Sequence, residues 1–192
     1  MQSLPTRIQG PVLIQPSVLG DERGFFVETY RRSRHEEMGI PATDEFIQDN
    51  HSRSSRGVVR GMHFHVGAGV SKLVRCGRGR ILDVVIDLRR GSPSYGEWEG
   101  FELDDELMRE LYVPVGFAHG FCVLSEMADV MYKQTAYYDP QTEWGIAWDD
   151  PDVGVRWPFP VDELIVSDRD QEAPRLSAIA AELPFEFRPT TR

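Results

Sequence analysis

Leu73-Val74-Arg75-Cys76, then Gly77-Arg78-Gly79-Arg80, then Ile81-Leu82-Asp83-Val84-Val85-Ile86-Asp87-Leu88: two apolar, β-branched stretches meet at a pair of glycines. Short runs rich in Val and Ile and bounded by glycine read as strands, and the junction reads as the turn of a hairpin. Side chains alternate along a strand. Leu82, Val84, Ile86 and Leu88 therefore share one face, while Ile81, Asp83, Val85 and Asp87 share the other, so two acids lie among apolar groups. A face mixed in this way suits the lining of a pocket.

Outward from this segment, similar strands are expected at Val12–Ile14, Phe25–Tyr30, Val58–Phe64, Gly100–Leu103, Glu110–Val113, Gly120–Leu124, Val130–Ala136 and Leu164–Val166. Seventeen glycines and thirteen prolines, spread along the chain, cut it into short pieces of this kind. The punctuation favours an all-β fold, and about nine strands suit a sandwich or jelly roll. Helical signals are short, at Ser33–Met38, Asp104–Met108 and Ser177–Leu183, each with a polar or acidic residue near its start. No repeat or linker divides the chain, so residues 1–192 read as a single domain whose tail, Phe185–Arg192, is expected to fray.

With 192 residues, 41% of them hydrophobic, the chain is long enough for one substantial core. A formal charge of −10 has the wrong sign for a dedicated nucleic-acid or anionic-membrane binder, so an anionic ligand needs a local basic pocket. No apolar run approaches the roughly 18 residues of a membrane span, and the start, MQSLPTRIQG, has no secretory apolar region, so a cytoplasmic protein is expected. Cys76 and Cys122 match no metal spacing and read as small buried hydrophobes.

Three of the five histidines fall in two glycine-marked segments, Arg60-Gly61-Met62-His63-Phe64-His65 and Pro114-Val115-Gly116-Phe117-Ala118-His119-Gly120. On a strand His63 and His65 face the same side, and a later strand can bring His119 beside them, as in an imidazole triad for a first-row metal. The carboxylate that usually completes a cupin metal site is missing, since Val66-Gly67-Ala68-Gly69-Val70 follows His65. The other chemistry is proton abstraction by a neutral His63. Arg60 and Lys72 lie near it in sequence, and Tyr132 and the pair Tyr137-Tyr138 follow further on: a tyrosine is a weak acid able to return a proton from the opposite face, and a lysine or arginine, Lys72 being the candidate, can stabilise an enolate oxygen.

Asp21-Glu22-Arg23-Gly24-Phe25-Phe26-Val27-Glu28, Phe46-Ile47-Gln48-Asp49-Asn50-His51-Ser52, Arg60-Gly61-Met62-His63-Phe64, Lys72-Leu73-Val74-Arg75, Pro114 to Phe121, and Tyr132-Lys133 occur in the order and spacing of one family. Together they resemble the dTDP-4-dehydrorhamnose 3,5-epimerases, cupin-fold enzymes, from about Gly10 to Leu176. The resemblance implies a cupin-type jelly roll with a few peripheral helices. It also implies inversion at C3 and C5 of a dTDP-linked 4-keto-6-deoxy sugar without metal or organic cofactor.

By resemblance His63 is the base and Asp170 the carboxylate that orients it; Tyr132 is the proton donor and Lys72 the oxyanion-stabilising lysine. His119 contacts the sugar. Arg23 and Arg60 match phosphate-contacting arginines, Glu28, Gln48 and Asn50 match polar binding positions, and Tyr138 matches the base-stacking aromatic. Phe26, Glu143 and Arg169 complete the substrate-contacting set. In the family the segment 23–28 reaches the neighbouring subunit's site, which implies a functional homodimer. Two departures stand out: His65 replaces the usual glutamine, and Gly67-Ala68-Gly69-Val70-Ser71 lacks the usual Gln-Gly before the lysine. A C3-only or C5-only epimerase keeps the same base and acid, and a metal-dependent cupin oxygenase using His63, His65 and His119 is the alternative from another class.

Overall fold

The computed structural model describes residues 1–188. In chain order the strands are β1 (Gln2–Leu4), β2 (Val12–Gln15), β3 (Val18–Asp21), β4 (Gly24–Val27), β5 (Gln48–Ser55), β6 (Val58–His65), β7 (Lys72–Arg78), β8 (Arg80–Asp87), β9 (Trp98–Asp104), β10 (Glu110–Val113), β11 (Phe117–Val123), β12 (Met127–Gln134), β13 (Glu143–Gly145) and β14 (Ile165–Val166). Three short helices accompany them: α1 (Arg32–Glu37), α2 (Asp168–Gln171) and α3 (Leu176–Ile179).

Two sheets face each other. One runs β1-β2-β10-β7-β12-β5; the other runs β13-β6-β11-β8-β9, with β14 beside β6. Inward-facing Val74, Cys76, Leu111 and Val130 of the first sheet meet Ile81, Val85, Leu103, Phe117 and Phe121 of the second in a buried core. Met62, Phe64, Val84, Ile86 and Leu88 point the other way, under Leu176, Ile179, Leu183 and Phe185. Strands covered on both faces need apolar residues at both parities, as β8 has. The architecture is the cupin-type jelly roll.

The glycine junction is not a hairpin. β7 pairs with β10 and β12, whereas β8 pairs with β11 and β9, so the chain crosses from one sheet to the other through Gly79 alone. One linking residue is too short for a two-residue hairpin turn, but it suffices for a corner between packed sheets. Gly79 has φ +78°, and a Cβ there would lie 2.1 Å from the Met127 carbonyl oxygen. Both cysteines are free and buried, as expected.

Other elements also depart from expectation. Asp104–Met108 is a turn: Asp104 Oδ1 accepts the Glu106 and Leu107 N–H groups at 2.9 and 2.6 Å, and Met108 takes φ +53°. That local bonding satisfies the backbone without a helix. The polar stretch Gln48–Ser55 is a full strand, and Asp168–Gln171 a helix, where neither was expected. The segment expected to fray holds through Phe187, because Phe185 packs in the core and Arg90 exchanges backbone hydrogen bonds with Phe185 and Phe187 at 2.9 Å. Residues 189–192 lie outside the described residues. Among the described residues, no helix is long and apolar enough to cross a membrane.

An irregularity in β6 shapes the site. His119 of β11 stands opposite His63, but Phe121 stands opposite Arg60, so β6 carries one extra residue between the two pairs. Such a bulge reverses side-chain parity beyond it. Arg60 and His63, three apart in sequence, consequently face the same cavity. Gly61 has φ +123°, and a Cβ there would lie 2.5 Å from the Gly120 Cα and 2.8 Å from the His119 carbonyl oxygen. Gly61→Ala should therefore cost about 1–3 kcal/mol or more through overpacking and a forced backbone shift. A denaturation midpoint equal to that of the unaltered protein would contradict this account.

Candidate active site

A cavity of about 550 Å³ opens between the sheets, lined by Arg60, His63, Lys72, His119, Tyr132, Tyr138, Glu143, Arg169 and Asp170 together with Ser52 and Phe121. Each sheet contributes differently. In β7 and β12 the inward positions change from Val74 and Val130 to Lys72 and Tyr132, so an apolar core gives way to polar groups within one sheet. From the facing sheet, β6 and β11 supply His63 and His119 as directly paired neighbours.

His63 Nε2 lies 2.6 Å from Asp170 Oδ1. Asp170 stands on α2, whose start is capped by Ser167 accepting the Asp170 N–H, and its second oxygen accepts the Gly61 N–H at 3.3 Å. Burial raises the Asp170 carboxyl pKa, but the His63 hydrogen bond and charge, with the Gly61 amide, outweigh it, and the net shift is downward. An ionised carboxylate only accepts hydrogen bonds, so it holds the proton on Nε2 and leaves the lone pair on Nδ1. The imidazole is thereby oriented as a base.

Tyr132 is half-buried, and desolvation first, then Glu143, pushes its pKa up, keeping the phenol protonated. His63, across the cavity, belongs to the other sheet. Lys72 is buried, with its ammonium 5.8 Å from the Tyr132 ring centroid. Desolvation lowers its pKa, against the opposing pull of Glu143 and Asp83. Among the described residues no carboxylate comes within ion-pairing distance of it, so the lysine enters the cavity without a counter-ion in contact.

The mixed face of β8 does not line the cavity as expected: Asp83 is fully buried behind it and meets His119 Nε2 at 2.9 and 3.0 Å. Asp87, on the same face, is occupied instead by Arg89, Ser92 and Ser94. Glu143 pairs with Arg169 at 2.7 Å. Burial raises the Glu143 pKa, but the Arg169 hydrogen bond and nearby cations turn the net shift downward. Arg60 donates from Nε to Ser54 at 3.1 Å, a contact that sequence reasoning missed because β5 carries no apolar alternation.

Gln48 and Asn50 lie on the same face of β5 as Ser52 and bond each other at 3.0 Å, and the Gln48 side chain also accepts the Tyr138 N–H at 2.9 Å. This places both residues beside the cavity without making them part of its lining. Arg23, Phe26 and Glu28 are not brought to the cavity of their own chain. β3 and β4 form a separate two-stranded arm on which Leu19, Phe25 and Phe26 are 67%, 62% and 68% exposed. On that segment Arg23 pairs with Asp21, and Glu28 with Arg31 and Arg34. Among the described residues no cluster of three His, Cys, Asp or Glu side chains has metal-site geometry.

A jelly roll with an oriented imidazole on one sheet and a protonated tyrosine and a buried lysine on the other has the apparatus of an acid–base isomerase acting beside a carbonyl. The comparisons name the family. Residues 5–178 match the model described as dTDP-4-dehydrorhamnose 3,5-epimerase. The dTDP-4-dehydrorhamnose 3,5-epimerase of Methanothermobacter thermautotrophicus is 48% identical over 169 residues, covering 88% of this chain and 90% of that one. The crystal structure of a dTDP-6-deoxy-D-glucose-3,5-epimerase from Legionella pneumophila, in complex with dTDP-4-keto-L-rhamnose, superposes with a TM-score of 0.92 at 43% identity, covering 97% and 98% of the two chains. A dTDP-4-dehydrorhamnose 3-epimerase of Streptomyces niveus is also 43% identical, over 90% of this chain and 83% of that one. The chain belongs to the dTDP-4-dehydrorhamnose 3,5-epimerase family.

Proposed function

We propose that the protein inverts C3 and C5 of dTDP-4-dehydro-6-deoxy-D-glucose, giving dTDP-4-dehydro-L-rhamnose, with His63 as base and Tyr132 as acid. The observation that carries this reading is the His63–Asp170 pair on one sheet facing Tyr132 and Lys72 on the other across a single cavity. The C4 ketone acidifies the protons on C3 and C5. His63 Nδ1 takes one of them, and the electron pair moves onto the ketone oxygen as an enolate beside the Lys72 ammonium. Tyr132 returns a proton to the same carbon from the opposite face, and that carbon is inverted.

Arg60 and Tyr138 suit the pyrophosphate and the base, since a guanidinium forks to phosphate and an aromatic ring stacks. Gln48, Asn50, His119, Glu143 and Arg169 supply polar contacts around them. The exposed apolar arm supports a homodimer in which Arg23, Phe26 and Glu28 complete the partner's cavity. Dimers carrying His63→Ala in one copy and Arg23→Ala in the other should recover activity that neither parent has. Failure of such mixed dimers to exceed both parents would remove the arm from the neighbouring site.

Proton NMR in D2O with dTDP-4-keto-6-deoxyglucose tests the reaction directly, and deuterium at both C3 and C5 with an L-configured product is expected. The 3-epimerase relative favours one competing reading, a C3-only enzyme, and deuterium at C3 alone would establish it. Tyr132→Phe should retain exchange while net inversion falls by about 10²-fold or more, because deprotonation survives without the opposite-face donor. An unchanged product mixture would exclude Tyr132 as the acid.

A further inference from the structure

His65 follows His63 by two residues on the inward face of β6 and is only 4% exposed. Neither of its ring nitrogens has a hydrogen-bond partner among the described residues. Leaving such a group unpaired costs about 1–3 kcal/mol, so a working partner is expected. The charged groups that act on the ring are Lys72 of β7, Glu143 opposite it on β13, His63 on its own strand and Asp139 in the loop before β13. Glu143 is engaged by Arg169, and His63 by Asp170. Lys72 has no such partner among the described residues. Its ammonium carries three donors and no acceptor, while a neutral imidazole offers one acceptor nitrogen beside its one N–H.

We propose, on the basis of the epimerase reading above, that His65 is a positioning residue whose neutral ring is linked through one water to the Lys72 ammonium, which it holds aimed at the enolate oxygen. Burial first, and Lys72 second, push the His65 pKa down to about 4, so the ring keeps its acceptor across the neutral range. An acceptor on an ammonium favours its charged form and works with Glu143 and Asp83 against the desolvation of Lys72. Without that acceptor Lys72 loses its proton at lower pH.

The test compares His65→Leu with His65→Gln in the full chain. In His65→Leu, kcat should fall roughly tenfold with KM little changed, and the alkaline limb of the kcat profile should move to lower pH. His65→Gln should restore both, because its amide carbonyl accepts. Wild-type kcat and an unmoved alkaline limb in His65→Leu would overturn the proposal. ¹⁵N-histidine NMR of the ligand-free protein decides the point even if His65→Leu does not fold: Lys72→Met should shift the acceptor nitrogen of His65, and an unshifted resonance refutes the contact. If the unaltered protein shows no turnover on the dTDP sugar while that shift is present, the substrate reading fails and the His65–Lys72 contact stands.

Discussion

His63→Ala should abolish solvent exchange at C3 and C5 and lower kcat by about 10²–10⁴-fold, the range a positioned general base contributes. The expectation rests on geometry: Asp170, 2.6 Å away, holds the imidazole by Nε2 in the cavity that Tyr132 and Lys72 line from the other sheet. Removing the ring also strands Asp170, a buried carboxylate left with the Gly61 N–H, so a loss of about 1–3 kcal/mol of stability should accompany the loss of activity. His63→Asn keeps a polar group near Asp170 and separates the two effects: it should fold more stably than His63→Ala while remaining as inactive. Asp170→Asn should act in the same direction as either, since an amide N–H donating to Nε2 would force the proton onto Nδ1. Deuterium entering C3 or C5 at the wild-type rate in folded His63→Asn would end the assignment of His63 as base.

Lys72→Met should move activity and stability in opposite directions. The lysine is 7% exposed, and among the described residues no carboxylate pairs with it, so the fold bears the desolvation of an ammonium held for the enolate. Methionine has similar length and no charge to bury, and exchanges of this kind commonly stabilise by about 1–4 kcal/mol. With the oxyanion-stabilising cation gone, kcat should drop about 10²–10³-fold while KM changes little. Thermal unfolding and steady-state kinetics on one preparation check both halves. A destabilised variant with normal kcat would show instead that Lys72 serves the fold.

The legible parts of the molecule were those where burial writes a pattern. β8 and β10 are apolar at most of their covered positions, with Asp83, Asp87 and Glu110 buried among them, and both lie within about a residue of the expected bounds. β5 is invisible in the sequence because neither of its faces is apolar: Gln48, Asn50 and Ser52 share one polar face, of which Ser52 lines the cavity, while Asp49 and Arg53 on the other form ion pairs with Lys133 and Asp129. The hairpin expectation failed because local sequence records that a strand ends at glycine and does not record which sheet receives the next one.

At the site, His63 and Lys72 could be named from chemistry and family resemblance, yet their relation could not. Asp170 lies 107 residues beyond His63 and reaches it only through the packing of α2 on β6. Arg60 and His63 share a cavity only because the bulge at Gly61 reverses parity. His65 was noticed as a departure, but that both its nitrogens are buried and unpartnered required the surroundings of the folded chain.

The all-β class, the alternation that sends His63 and His65 to one side, the buried thiols and the membership signalled by several motifs in register are all written in the order of residues. These are consequences of side-chain period, of hydrophobic burial and of residue chemistry, all of which are local. The packing of distant strands parts β7 and β8 into opposing sheets, brings His63 and Tyr132 to one cavity from opposite walls, and carries the β3–β4 arm away from its own cavity. Each of these depends on which distant strands find one another, and pairing across a hundred residues is set by the packing of the whole core, which no short stretch of sequence encodes.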